Sequence, residues 1–233
     1  MLRLAYCALV LSLTAGAVVL TYRHLAARQV AASTWLDADV DGDGRPLRRD
    51  LDPDADGLDL LADPDADGDA VENAQDIVAG ALSMVGRPTD PLMGMYNNLL
   101  GRIGFVVCVD VVVESWMMAG LSLPELLTSS AWEHPEWFAI DPLNGPADPN
   151  FARRVRNYRD LFEMEPGPGL ALDSAPHPGD VAFYGRYHAA IVTAVRPEGY
   201  TVVEAYSARV AERDGGEVAA RTGVEPVFGR VGR

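Results

Sequence analysis

Residues 37–76 carry fourteen Asp and one Glu against three Arg, a net charge of −12 in forty residues. A stretch so rich in like charge cannot bury a core of its own. It must stay solvated or be neutralised by cations. The whole chain carries −15, so the other residues share only −3. The acidity belongs to one segment and says little about partners of the rest. No basic stripe stands out, and a nucleic-acid partner is not expected.

The acidic segment is ordered in sequence. "DPDADG" occurs at residues 52–57 and again at 63–68. Residues 39–50, "DVDGDGRPLRRD", fit a calcium loop, with alternate Asp, a Gly and an acid at the twelfth place. Residues 52–63 fit again. Residues 63–74 fit at positions one, three and five but end in Ala74. The expected calcium ligands are Asp39, Asp41, Asp43, Asp50, Asp52, Asp54, Asp56, Asp63, Asp65 and Asp67. A hard dication takes six to eight oxygens, and alternate carboxylates can point at one centre while Gly lets the chain turn. The loops follow one another too closely for intervening helices. They resemble the compact thrombospondin type 3 calcium repeats, which implies a stiffened stalk over residues 37–76. The alternative is a solvated acidic linker.

Before it, residues 4–22 contain no charged side chain, with Arg23 and Arg28 following. Nineteen apolar residues approach the ~20 of a spanning helix and exceed the ~7–15 of a signal-peptide core. Residues 1–30 are expected to form an N-terminal membrane anchor, with a cleaved signal peptide as the alternative. Either implies an extracytoplasmic protein. Cys7 lies in that stretch, so Cys108 has no partner for a disulfide.

Residues 77–233 have ordinary composition and are expected to form one domain. The periodicity of Val71, Ile77, Val78, Ala81, Leu82 and Val85 predicts a helix stopping at Gly86. Phe151, Val155, Tyr158 and Phe162 predict another, capped by Asp148 or Asn150. "DVAFY", "HAAIVTAV" and "YTVVEAYS" read as strands joined by turns. Helices first and antiparallel strands after predict an α+β fold. "VVCVDVVV" is ambiguous: its valines favour a strand, whereas "ESWMMAG" favours a helix ending at Gly120.

A cysteine nucleophile needs an imidazole as base and a third polar group to hold the ring. Of the four histidines, His24 falls at the apolar stretch, and His134 and His177 fall in loops. His188 opens a strand. Cys108 and His188 are the candidate pair if a helix begins near Cys108, because a helix N-terminus favours thiolate. By composition alone, a lone Cys among valines is a buried hydrophobe.

"GFVVCVDVV", "DPNFARRVRNYRDLF", "PGDVAFY" and "HAAIV" occur in that order. Together they resemble the bacterial envelope family numbered 1287 among the domains of unknown function, which is grouped with the NlpC-type, papain-like cysteine peptidases and amidases. The resemblance covers about residue 77 to the C-terminus. It implies a papain-like fold with Cys108 as nucleophile on a helix and His188 as base. It also implies cleavage of amide bonds in peptidoglycan stem peptides without a catalytic cofactor. The third residue, usually His, Asn or Gln on the next strand, corresponds to Glu204. Val109 stands where the family has Thr, and "HAAIV" has Ala where Gly is usual. Tyr96 is expected to face the oxyanion and Arg154 to grip a substrate carboxylate, although a solvated helix face is the simpler reading of the basic run at Arg153, Arg154, Arg156 and Arg159. Asp110 is expected to cap the Cys108 helix. A plain hairpin would place Glu204 opposite Val192, on the same face as His188. Two functional classes follow: a wall-directed cysteine hydrolase on a calcium-stiffened stalk, and a non-enzymatic wall-binding module in which Cys108 is buried and Glu204 marks decay of the site.

Overall fold

The computed structural model describes residues 58, 61–90, 105–140, 145–146, 148, 150–164 and 169–231. The apolar N-terminal stretch, the first calcium loop, nearly all of the second and Tyr96 lie outside them. Among the described residues, no helix is long and apolar enough to cross a membrane.

The fold is a mixture of helices and one antiparallel sheet. Four helices come first: α1 (Asn73–Ser83), α2 (Cys108–Met117), α3 (Leu123–Glu133) and α4 (Val155–Glu163). Strands β1 (Leu170–Asp173), β2 (Val181–Tyr184), β3 (His188–Arg196), β4 (Gly199–Glu204) and β5 (Ala211–Asp214) follow. Helix α5 (Gly215–Thr222) and β6 (Val227–Val231) end the described chain. The sheet order is β1-β6-β2-β3-β4-β5, with every pairing antiparallel.

The sheet is buried on both faces, so its central strands do not alternate apolar and polar. All four residues of β2 are buried, as are the first six of β3. Val181, Phe183, Ala189, Ile191 and Val203 join a core built with α1–α4, centred on Trp116, Leu121, Leu127 and Phe162. Ala182, Tyr184, Ala190, Val192 and Val202 face the other way, against Val218 and Ala219 of α5. Trp116 meets Phe162 edge-on at 5.6 Å, and Phe162 meets Phe183 at 5.4 Å, which ties α2 to α4 and α4 to the sheet.

"CVDVVVESWM" is a helix despite its valines. Propensity is a weak prior, and Val109, Val111, Val112 and Trp116 bury their side chains in the core. Gly120, at φ 74, ends the segment in the left-handed conformation. Two expectations need correction. Neither Asp148 nor Asn150 caps α4. The N-cap position is Arg154, with no side-chain cap, because a 3-10 turn at Phe151–Arg153 intervenes and Asp148 instead accepts from the Asn150 N–H at 2.9 Å. On α1, Leu82 and Val85 are exposed rather than part of the apolar face, while Ile77, Gly80 and Ala81 carry the packing.

The described end of the acidic segment rests on this core. Ala66 is fully buried. Its N–H donates to Asn73 Oδ1 at 2.9 Å, and Asn73 Nδ2 donates to the Asp63 carbonyl at 2.7 Å. A Cβ on Gly120 would come within 3.3 Å of the Ala66 carbonyl, so the acidic turn and the end of α2 sit in close contact.

Candidate active site

The site forms where the N-terminus of α2 meets the start of β3. Cys108 is the first residue of α2 and is half-buried. Asp110 fixes this tip: its Oδ2 accepts from the Val107 N–H at 2.8 Å, half of a capping box whose other half a valine cannot supply. Arg153 then clamps Asp110 with two hydrogen bonds, at 3.0 and 3.1 Å. Burial pushes the Asp110 carboxyl up, against the pull of Arg153. The helix tip, with its free N–H groups and positive dipole end, is thus held in place around the thiol.

His188 is buried at the start of β3, directly across from Tyr184. Its imidazole faces the Cys108 thiol on one side, close enough for the sulfur to favour the charged ring. On the other, Nε2 lies 2.6 Å from Glu204 Oε2. Burial works against the charged ring, but Cys108 and Glu204 outweigh it and raise the pKa from 6.5 to about 9. Both neighbours therefore favour the protonated ring.

Glu204 is 1% exposed at the end of β4. Burial pushes its carboxyl up, but hydrogen bonds from His188 and Arg221 win and hold it below the usual range. Arg221 Nη2 donates to the same Oε2 at 2.5 Å, and Arg213 Nε stands 3.7 Å from Oε1. The pairing expected for Glu204 is corrected here. Arg196 faces Gly199 across a tight turn, and the register then shifts between Val192 and Ala194, leaving Thr193 as an extra residue on β3. Val203 consequently faces Ile191. Glu204 falls one step beyond, level with Ala190 rather than Val192, and two residues diagonal from His188. Thr193 Oγ1 secures the bulge against Thr201 Oγ1 at 2.9 Å and Glu212 Oε1 at 2.7 Å.

Cys108, His188 and Glu204 are thus brought together. Arg154 stands half-buried before α4, and Arg153 is the arginine that reaches the Cys108 helix. His134 is exposed beside Glu136, and His177 is exposed beside Asp180. Sequence reasoning missed Arg221, Arg213 and Tyr206, which surround Glu204 and the ring. Arg221 sits near the end of an unremarked short helix, and no local motif marks it.

A second polar cluster lies in the acidic turn. Ligand atoms of Asp65, Asp67 and Asp69 all fall within 4.8 Å of one another. Burial, then Asp69, Asp76 and Asp65, raise the Asp67 pKa to about 6. Asp65 Oδ1 and Asp76 Oδ2 are buried without a hydrogen-bond donor among the described residues. Counted from Asp65 rather than from Asp63, the twelfth residue is Asp76 instead of Ala74. Asp63 Oδ1 accepts from the Asp65 N–H at 2.8 Å.

The chain matches no family model, no curated protein and no solved structure.

Proposed function

We propose that the chain is an extracytoplasmic cysteine hydrolase of the papain-like, NlpC type that cleaves amide bonds, with peptidoglycan stem peptides as substrate. The observation that carries this reading is the order thiol, imidazole, carboxylate at a helix N-terminus, with His188 Nε2 and Glu204 Oε2 2.6 Å apart. A buried hydrophobic cysteine has no use for an imidazolium clamped by a buried carboxylate.

In this mechanism the Cys108 thiolate attacks the carbonyl carbon and the C–S bond forms. N–H groups of the first turn of α2 face the developing oxyanion. The His188 imidazolium gives its proton to the leaving nitrogen as the C–N bond breaks. Water then attacks the thioester, His188 takes the proton, and the acid leaves as the C–S bond breaks. Glu204 keeps the ring oriented and charged throughout.

Calcium in the acidic segment belongs to the same proposal. Asp65, Asp67, Asp69 and Asp76 would hold the ion at the described turn, neutralising carboxylates that otherwise repel. Residues 1–30 would anchor the chain to the membrane.

The test is mass spectrometry of muropeptides after incubation with the purified protein and with Cys108→Ala. The expected result is new fragments, each one water heavier in sum than its parent, absent with the variant. Fragments that persist with Cys108→Ala would refute the assignment of the nucleophile.

A further inference from the structure

Glu204 is held from two sides, and only one of them is the imidazole. Helix α5 packs on the face of the sheet opposite α2, and from it Arg221 reaches Oε2 at 2.5 Å, the same oxygen that meets His188. The guanidinium also lies 3.8 Å above the Tyr206 ring. Tyr206 in turn meets His188 edge-on at 5.7 Å. One arginine therefore touches two of the groups that pack around the imidazole.

We propose that Arg221 is a positioning residue of this site, holding Glu204 ionised on the oxygen that grips His188 and bracing Tyr206 against the ring. The proposal rests on reading Cys108, His188 and Glu204 as a cysteine-hydrolase site. The physical need is specific. A buried carboxylate beside an imidazolium can take the proton from the ring, leaving a neutral acid and a neutral imidazole. That state no longer stabilises a thiolate. A second cation on Oε2 favours the charged arrangement, and a planar guanidinium can do so while stacked on an aromatic face. The charged or titratable groups facing Glu204 are His188 from β3, Arg213 from β5, Arg221 from α5 and Tyr184 from β2. Those facing His188 are Cys108 from α2, Glu204 from β4, Tyr184 from β2 and Tyr206 after β4. Arg213 stands at 3.7 Å from the other oxygen and is 39% exposed. It is placed to contribute less than Arg221.

The experiment uses the full chain in three forms: parent, Arg221→Gln and Arg221→Lys. Iodoacetamide alkylation of Cys108 is followed from pH 5 to 10, together with the imidazole nitrogen signals of His188 by NMR. In the parent, the thiol is expected to react fast at pH 6.5 and the ring to lose its proton near 9. In Arg221→Gln, the ring is expected to titrate lower, by about one unit, and alkylation at pH 6.5 to fall about ten-fold. Arg221→Lys keeps the charge and is expected to stay within about three-fold of the parent.

An Arg221→Gln protein that folds with an unchanged or raised His188 titration overturns the proposal and leaves the hydrolase reading standing. A parent thiol no faster than free cysteine at pH 6.5 overturns the hydrolase reading itself, and this inference with it. If Arg221→Gln does not fold, Arg221→Lys decides. A folded Lys variant that has lost neutral-pH reactivity refutes the charge role, and one that keeps it supports the role.

Discussion

Removing the Glu204 carboxylate tests the site most severely, because the side chain is almost completely buried among cations. Glu204→Gln keeps the shape. An amide oxygen at the Oε2 place can still accept from His188 and Arg221, but an NH₂ then faces Arg213 and the negative charge is gone. Breaking a fully buried ion pair costs about 3–5 kcal/mol. Arg221 and Arg213 are 29% and 39% exposed, so water can take up part of their charge, and about 1–3 kcal/mol is expected for the Gln variant. Glu204→Ala adds the loss of packing, for about 2–4 kcal/mol in all. The functional loss is larger in kind. Without the carboxylate, the His188 pKa should fall from about 9 toward its ordinary 6.5. Turnover should drop roughly 10–10³-fold in the Ala variant, less than the ~10⁴-fold of a serine triad lacking its acid, because a thiolate and imidazolium partly hold each other. The Gln variant should retain more activity than Ala. Urea unfolding gives the stability, and alkylation rates across pH give the ring's charge. A Glu204→Ala protein with parental stability and a parental alkylation profile would refute the argument outright.

Three further outcomes follow from the same geometry. His188→Ala should slow Cys108 alkylation near pH 7, since the thiol loses its imidazolium, whereas His134→Ala should not; equal slowing by both would remove His188 from the role of base. His188 also makes stability depend on pH. Its folded pKa of about 9 lies above the unfolded 6.5, so its contribution should be complete below about 6.5 and lost as pH rises through 9, a slope that His188→Ala should flatten in urea titrations. Calcium should raise the melting temperature of the full chain with a dissociation constant of about 10⁻⁴–10⁻³ M. Asp67→Ala with Asp76→Ala should weaken that rise, and calorimetry without any heat at millimolar calcium would leave the acidic segment a linker.

The sequence exposed the strands of the hairpin well, because "DVAFY", "HAAIVTAV" and "YTVVEAYS" sit between unmistakable turns and fall in β2, β3 and β4. It also pointed to an α+β arrangement. Beta propensity misread the first part of α2, where only the family resemblance favoured a helix; "ESWMMAG" already favoured one for the second part. Burial of Val111 and Val112 on the core side overrides a preference worth a few tenths of a kcal/mol per residue. Strands β1, β5 and β6 and helix α5 escaped because each is eight residues or shorter and carries little periodic signal. Cys108, His188 and Glu204 were legible as a candidate set, and the structure puts the His188 and Glu204 side chains in contact. Arg221 was not, since its meaning depends on α5 folding back over β4, a long-range contact with no local trace. The acidic turn carries a calcium-like pattern that the repeat "DPDADG" frames on Asp63, whereas the carboxylates that gather in the structure are Asp65, Asp67 and Asp69. The left-handed Ala70, the one non-glycine at positive φ among the described residues, marks where the chain turns to bring in Asp69.

The extra residue Thr193 has a consequence for how this hairpin can change over time. From the tight turn alone, an unbroken ladder would set Glu204 level with Ile191, whose side chain points into the core of α1–α4. Inserting one residue on one strand reverses the parity and returns Glu204 to the side of His188. Turn and bulge therefore act as two odd steps whose sum is even. A lineage that shortens the hairpin tip by one residue would disconnect the carboxylate from the ring without touching either of them, whereas a paired change, or one of two residues, would pass unnoticed at the site. The permitted lengths of this loop are thus governed by arithmetic at Thr193, eleven residues before Glu204, on a stretch that touches no reacting atom.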